Sequence, residues 1–146
     1  PGTLQFEHLI YTAVRSRFSR GEVDPFGGSL QVLFGRKDSW DAVVVRGFDR
    51  IRAAADARHV PVVVAVFPIL VDNTVALYGN LYDKVVAEAK RHGFAALDLA
   101  RAAYAGHPMA EVLKPEKDRI HPNAVGHRLA AEAIARVLAP RLGAAP

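Results

Sequence analysis

The spacing of apolar side chains predicts four amphipathic helices. Apolar residues recur every three or four positions over residues 4–18, from position 38 or 39 to about 58, and over residues 81–92 and 122–138. Asp38 or Ser39 can cap the second helix, and Gly93 stops the third. The inward faces of the second and last helices are predicted to carry Trp40, Val43, Val44, Gly47, Phe48, Ile51, Ala55, Val125, Leu129, Ile134 and Leu138.

Two further stretches have the pattern of buried strands. Residues 60–67 form a nearly unbroken β-branched run, and residues 94–99 are apolar up to Asp98, which is expected to cap the next turn. Strand, helix and strand with short joins predict a right-handed βαβ unit and the α/β class. Residues 21–37 are predicted to be a loop because they are rich in glycine and proline, with residues 30–34 as an alternative hidden strand.

Two strands that are apolar on both faces make an incomplete sheet. Each would leave one edge open to pairing, and sheets of this kind average five or six strands. We therefore expect further strands from an N-terminal part, a second copy of the chain, or residues 30–34. The chain begins at Pro1 and its single methionine is Met109, so we expect that processing or cropping made this N-terminus.

Composition fits one domain and narrows the function classes. The chain has 146 residues, a formal net charge of +4 and no cysteine, so disulfides are excluded. Its arginines are spread along the helices without a basic stripe, which argues against nucleic acid as a partner. No apolar run approaches the roughly 20 residues that span a bilayer, and no signal peptide is visible. The compartment is not indicated.

The most informative stretch runs from Asp118 to His121 and into the last helix. An Asp three residues before a His can accept a hydrogen bond from one ring nitrogen, which leaves the other to take a proton from a nucleophile. Pro122 is expected at the first helical position, where its fixed φ would hold His121 at a rigid corner. This arrangement is typical of a catalytic base.

The stretch resembles the last sequence block of the SGNH (GDSL-type) esterases and lipases, Asp-x-x-His-Pro followed by a closing helix. Asp118 and His121 match its acid and base, and Asn123, Gly126 and His127 match its flanking residues. The resemblance covers the last two-thirds of the chain. It implies the C-terminal part of a flavodoxin-like three-layer α/β/α fold with a parallel sheet, a single domain that lacks its N-terminal strands.

The implied activity is that of a serine ester hydrolase acting on a small-molecule, lipid or carbohydrate ester without a cofactor or metal. His121 would be the general base and Asp118 its orienting partner. The family's Gly-Asp-Ser, oxyanion glycine and Gly-x-Asn-Asp blocks have no match here. Ser29 follows two glycines and is the one candidate for a displaced nucleophile. Because the family's nucleophile and oxyanion blocks are missing, we do not expect the chain alone to be active. Two alternatives remain open: a non-catalytic relic or interaction module, and an O-acyltransferase.

Other polar residues have competing interpretations. Asp118, His121 and His127 could hold Zn²⁺, although their spacing fits no strong metal signature, and His127 is expected to be structural and to face away from His121. Asp72, Asn73 and Asn80 follow the first strand, where α/β proteins place ligand groups, but a polar surface loop is the simpler interpretation. His59, His92 and His107 lie at element ends and are expected to face solvent.

Overall fold

A computed structural model describes residues 27–71, 73–114 and 121–143. The helix predicted over residues 4–18, together with Asp72 and Asp118, lies outside these ranges. In chain order the helices are α1 (Gly27–Gly35), α2 (Lys37–Trp40), α3 (Arg46–Asp56), α4 (Thr74–Arg91), α5 (Leu99–Ala102), α6 (Met109–Val112) and α7 (Ala124–Leu142), and the strands are β1 (Val63–Val66) and β2 (Ala95–Asp98).

The two apolar runs form strands that pair in parallel, as predicted. Val63 is opposite Ala95, and the described part of the chain contains this one two-stranded sheet. Both strands are shorter than predicted. Pro61, which cannot donate a backbone hydrogen bond, lies before β1, and the Asp98 side chain ends β2 because it accepts a hydrogen bond from the backbone N–H of Ala100 at 2.8 Å. The predicted cap at Asp98 is confirmed.

Helices cover both faces of this sheet. Val63 and Ala65 pack against a core cluster that includes Ala130 and Ala133 of α7, while Val66 packs against Tyr78 and Tyr82 of α4. The alternation follows from the two-residue period of a strand. The chain therefore has a mixed α/β architecture with apolar contacts on either side of the two strands.

The segment over residues 37–56 is helical throughout, with π-helical geometry at Asp41–Val45 between α2 and α3. The predicted caps at Asp38 and Ser39 were wrong, because the helix starts at Lys37. The predicted apolar face was also partly wrong, since Val43 and Ile51 are exposed. A π-turn contains more residues than an α-turn, so it rotates the inward face away from the positions that a regular period selects.

The loop predicted over residues 21–37 and the alternative strand over residues 30–34 were wrong where the structure describes them. Gly27–Gly35 is a helix, α1. Leu30 packs on the Tyr78 and Tyr82 cluster, and Lys84 Nζ donates to the Phe34 carbonyl oxygen at 2.7 Å near the end of α1. These tertiary contacts override the low helix propensity of the glycines at its ends.

Helix α4 begins at Thr74, one and a half to two turns before the predicted start at position 81. Its extra turns are held by burial, because Tyr78 is 0% exposed. A Cβ at Gly79, which interrupts the apolar pattern, would lie 3.0 Å from Arg101 Nη2 and 3.3 Å from Val75 Cγ1, so these side chains would have to shift to accept it. Asn73 precedes the helix in the left-handed conformation, with φ of 58°.

Helix α7 runs over Ala124–Leu142, which places both of its ends a little later than predicted. Leu129 and Ile134 pack against the core as expected, but the fully buried positions are Gly126, Ala130 and Ala133. Small residues at these positions let the helix approach the sheet closely. Among the described helices, none is both long and apolar enough to span a bilayer.

Candidate functional site

The direction of α7 fixes the end of the sheet at which His121 lies. Near the start of α7, the Tyr104 hydroxyl donates to the Gly126 carbonyl at 3.2 Å, and Tyr104 belongs to the segment that follows β2. Near the other end, Arg141 lines a cavity together with Val62 and Ala95, where the two strands begin. Helix α7 therefore runs antiparallel to the strands, and His121, just before it, lies toward their carboxyl ends.

The backbone of His121 is held by hydrogen bonds to the chain that follows α6. Its carbonyl accepts from the Lys114 N–H at 3.2 Å. Two residues later, the Asn123 N–H donates to the Val112 carbonyl at 2.7 Å, and Pro122 forms an isolated bridge with Leu113. The backbone from His121 to Asn123 is thus paired with residues 112–114. The prediction that Pro122 starts the helix was wrong, because Pro122 precedes the N-cap.

Asn123 organises this corner, a role that sequence reasoning missed. Its Oδ1 caps α7 by accepting from the Gly126 N–H at 3.0 Å. Its Nδ2 donates to the carbonyls of Glu111 at 2.8 Å and Leu113 at 2.9 Å. An aspartate would provide the cap but neither of the two donors, and the Asn in His-Pro-Asn was the available sequence signal.

Gly126 allows the helix to start against this corner. A Cβ at position 126 would lie 2.7 Å from the Val112 carbonyl oxygen and 2.8 Å from Pro122 Cβ. Both distances are shorter than real Cβ contacts, and one of the neighbours is backbone. The glycine is therefore required by packing.

The structure describes the predicted site residues only in part. His121 and His127 are both exposed, and Asp118 lies outside the described residues. Ser29 is in α1 and not in a loop. Its helix neighbour Leu30 packs on the α4 side of the sheet, whereas Val112, beside the His121 corner, packs on the α7 side. The role of Ser29 as a nucleophile stays a prediction.

The remaining polar candidates are dispersed. Asn80 is exposed, and its side-chain oxygen accepts from the Leu81 N–H at 2.9 Å. His59 is exposed and has a left-handed backbone, with φ of 52°. His107 is partly exposed, and its Nδ1 lies 3.2 Å from Glu111 Oε2. Within the described ranges, no three His, Asp or Glu side chains come together to bind a metal.

His92 was predicted to face solvent, and this was wrong, because its side chain is 12% exposed. Its Nδ1 lies 2.9 Å from the Glu88 carbonyl oxygen and its Nε2 lies 3.1 Å from Asp49 Oδ1. The backbone hydrogen bond to Glu88 raises the pKa of His92, and Asp49 adds to this against the opposing effect of burial. Burial alone would raise the pKa of Glu88, but hydrogen bonds from Arg91 and Trp40 outweigh it and lower that pKa.

Comparison of the chain with models of known protein families, with curated proteins and with solved structures gave no match. A functional assignment must therefore come from the residues and their geometry. The best-supported feature is the tied corner at His121, at the carboxyl end of a parallel sheet, where α/β proteins bind their ligands.

Proposed function

We propose that this chain carries the acid–base part of an SGNH-type serine ester hydrolase, with His121 as general base and Asp118 as its orienting partner. The observation that carries the proposal is the position of His121. It combines an exposed imidazole, a backbone fixed through Lys114 and Asn123, and a place at the carboxyl end of the parallel strands. The Asp-x-x-His-Pro spacing supplies the chemical identity of the pair.

In the proposed reaction, a serine hydroxyl oxygen attacks the ester carbonyl carbon while His121 accepts the hydroxyl proton. The tetrahedral intermediate collapses to an acyl-enzyme, and the imidazolium gives that proton to the departing alcohol. A water molecule then attacks the carbonyl carbon of the acyl-enzyme while His121 accepts a proton from it. The second tetrahedral intermediate collapses to the free acid, and the imidazolium returns the proton to the serine oxygen. Asp118 would hold the reactive tautomer of His121 and stabilise the imidazolium, as the acid of a triad does.

We further propose that the described elements belong to a flavodoxin-like three-layer α/β/α fold. Support comes from helices on both faces of a parallel sheet and from the two strand edges that have no partner strand among the described residues. Additional strands at an edge would bring more loops to the carboxyl end of the sheet. A serine and oxyanion donors on such loops would complete the site around His121.

The test uses the gene product that contains residues 1–146 with whatever chain its gene encodes on either side. We expect His121→Ala to lower hydrolysis of p-nitrophenyl acetate on the order of 10³-fold or more, because nucleophile activation is lost. Asp118→Ala is expected to cost less, since a misoriented imidazole still transfers some protons. His127→Ala is the matched control, because His127 is also exposed and lies in the same helical region. A larger loss with His127→Ala would overturn the assignment.

The 146-residue chain alone provides a second measurement. We expect no stoichiometric labelling by a fluorophosphonate probe, because none of the four serines of this chain stands in a Gly-Asp-Ser block. Peptide mapping identifies any labelled residue. Labelling of Ser29 would show that this residue is the nucleophile after all and would replace the proposed arrangement.

A further inference from the structure

A small cavity opens at the carboxyl end of the sheet. It lies between the start of α4 and the segment from α5 to α6, and its volume is about 220 Å³. Six of its lining residues are apolar or largely so: Val71, Val75, Ala100, Tyr104, Ala105 and Met109.

The volume limits what the cavity can hold. Sites for drug-sized ligands span roughly 300–1,000 Å³, whereas an apolar cavity of roughly 150 Å³ accepts a benzene molecule. At about 220 Å³, this cavity suits a group a little larger than one aromatic ring.

The polar atoms in its wall are already engaged. The Thr74 hydroxyl lies 2.6 Å from the Ile69 carbonyl oxygen and 2.9 Å from the Tyr82 hydroxyl, and Thr74 is buried. The Arg101 guanidinium binds Asp98 and also Asp83, with 3.0 Å between Nη1 and Oδ1 of Asp83. Asn73, at the rim, is exposed and remains the polar side chain most accessible to a ligand.

This charge distribution selects against anions. Arg101 is the one charged residue among the described lining residues, and its single positive charge faces the two carboxylates of Asp83 and Asp98. A carboxylate or phosphate at this position would meet a locally negative surface without a free cation. An uncharged group meets no such repulsion and is stabilised by the burial of its apolar surface.

We propose that this cavity binds the uncharged hydrocarbon end of a small ligand, a short aliphatic chain or a single aromatic ring. The site is independent of ester chemistry, because its own lining and charge define what it accepts. It is structurally joined to the His121 corner. Tyr104 in its wall donates to Gly126, and Met109 begins the short helix whose last carbonyl, that of Val112, accepts from Asn123.

The single methionine gives a direct reporter of binding. Met109 lines the cavity, so labelling with [ε-¹³C]methionine yields one protein signal, at the site itself. We expect benzene and butan-1-ol to shift the Met109 methyl resonance saturably, with dissociation constants in the millimolar range, and butanoate to leave it nearly unchanged. No saturable shift with either neutral probe would overturn the proposal. Equal binding of butanoate would overturn its charge selectivity.

Two substitutions test the location. Val75→Phe fills the cavity from α4 and Ala105→Phe fills it from the opposite wall, and both positions are exposed enough to accept a ring without rebuilding the core. Each is expected to abolish the benzene-induced shift. Ala87→Phe, at an exposed position of α4 away from the cavity, is the matched control and is expected to bind as the parent does. Undiminished binding in both filled variants, with circular dichroism confirming that they fold, would place the ligand elsewhere. None of these measurements depends on hydrolysis, so failure here leaves the His121 proposal intact.

Discussion

The close approach of the first turn of α7 to the Val112 carbonyl is possible because position 126 has no side chain. Asn123 caps α7 and holds the preceding chain, but the cap works because the first turn can lie directly against that chain. His121 gains its position from both residues.

At this scale we expect Gly126→Ala to destabilise the protein by about 1–3 kcal/mol, since the added methyl group meets backbone that cannot easily move. Urea unfolding measures the change. Gly47→Ala is the control, because a Cβ at this helical position meets nothing within 4 Å. That substitution is expected to stabilise by about 0.5–1 kcal/mol through helix propensity. If both substitutions changed the free energy of unfolding in the same direction, packing would not be the reason for glycine at position 126.

Individual residues differ in how far the sequence predicts them. The cap at Asp98 was predictable because its partner, Ala100, is two residues away. The role of His92 was not, since its partner Asp49 lies 43 positions earlier in the chain. Local pattern carries no information about such a pair. The acid of the proposed site, Asp118, stays a prediction because the described residues do not include it.

At the scale of elements, the helical segment over residues 37–56 docks on α4 mainly through polar and aromatic contacts. Trp40 Nε1 donates to Glu88 Oε2 at 3.3 Å, and Lys84 Nζ lies 3.9 Å from the centroid of the Trp40 ring. At the other end of the contact, His92 Nε2 lies 3.1 Å from Asp49 Oδ1, and the His92 ring packs against Phe48 and Phe94, which also contact each other. Each of these contacts made by Trp40 or His92 includes a titratable side chain, and His92 is the one whose ordinary pKa of 6.5 lies near neutral pH.

The docking should therefore weaken as pH rises. The pKa of His92 is raised above its ordinary 6.5, so its contribution to stability is fully present below about pH 6.5 and is lost as pH rises through the folded-state value. We expect the free energy of unfolding in urea to fall over that window. The charges around the ring are Asp49, Glu88, Arg52, whose Nη1 donates to the His92 carbonyl at 3.3 Å, and Arg91 on Glu88.

The control for this pH dependence is Asp49→Asn. It keeps the size of the side chain and removes the negative charge next to Nε2 of His92. We expect the His92 pKa measured by NMR to move down toward 6.5 and the pH dependence of stability to become shallower. An unchanged His92 titration in this variant would mean that Asp49 does not contribute to the docking.

Elements were predictable where burial and local pattern agree. The β-branched run over residues 60–67 predicted β1, and the strand–helix–strand order predicted that the two strands pair in parallel, as they do. Helix α1 was missed because glycines at both ends resemble a loop, while the contacts that stabilise it come from α4. The early start of α4 was missed because Gly79 and Asn80 interrupt the apolar pattern, while the burial that holds these turns comes from tertiary contacts of Tyr78.

At the scale of the whole molecule, the sheet formed by the described residues has two strands, and among those residues no strand pairs with the outer edge of either. The Val62 carbonyl accepts from the Ala95 N–H at 3.2 Å, so the alternation of a parallel ladder turns Val64 toward β2 and Ala65 away from it. At the ends of β1, Val60 is 51% and Phe67 is 50% exposed. The outward N–H and C=O groups of such an edge can hydrogen-bond to another strand, and the exposed apolar side chains at its ends can pack against that strand.

We expect the 146-residue chain to self-associate through this outer edge of β1, with a sedimentation coefficient that rises with protein concentration. Ala65→Pro removes the outward backbone donor while leaving the groups of Val64 that face β2, and proline is tolerated on edge strands when its nitrogen points outward. This variant is expected to remain folded and to associate less. Val64→Pro is the matched contrast, because it removes a donor between the two strands and is expected to lower the melting temperature. A parent chain that sediments as a monomer and melts cooperatively would show that the edge is already satisfied, and would remove the case for further strands from outside this chain.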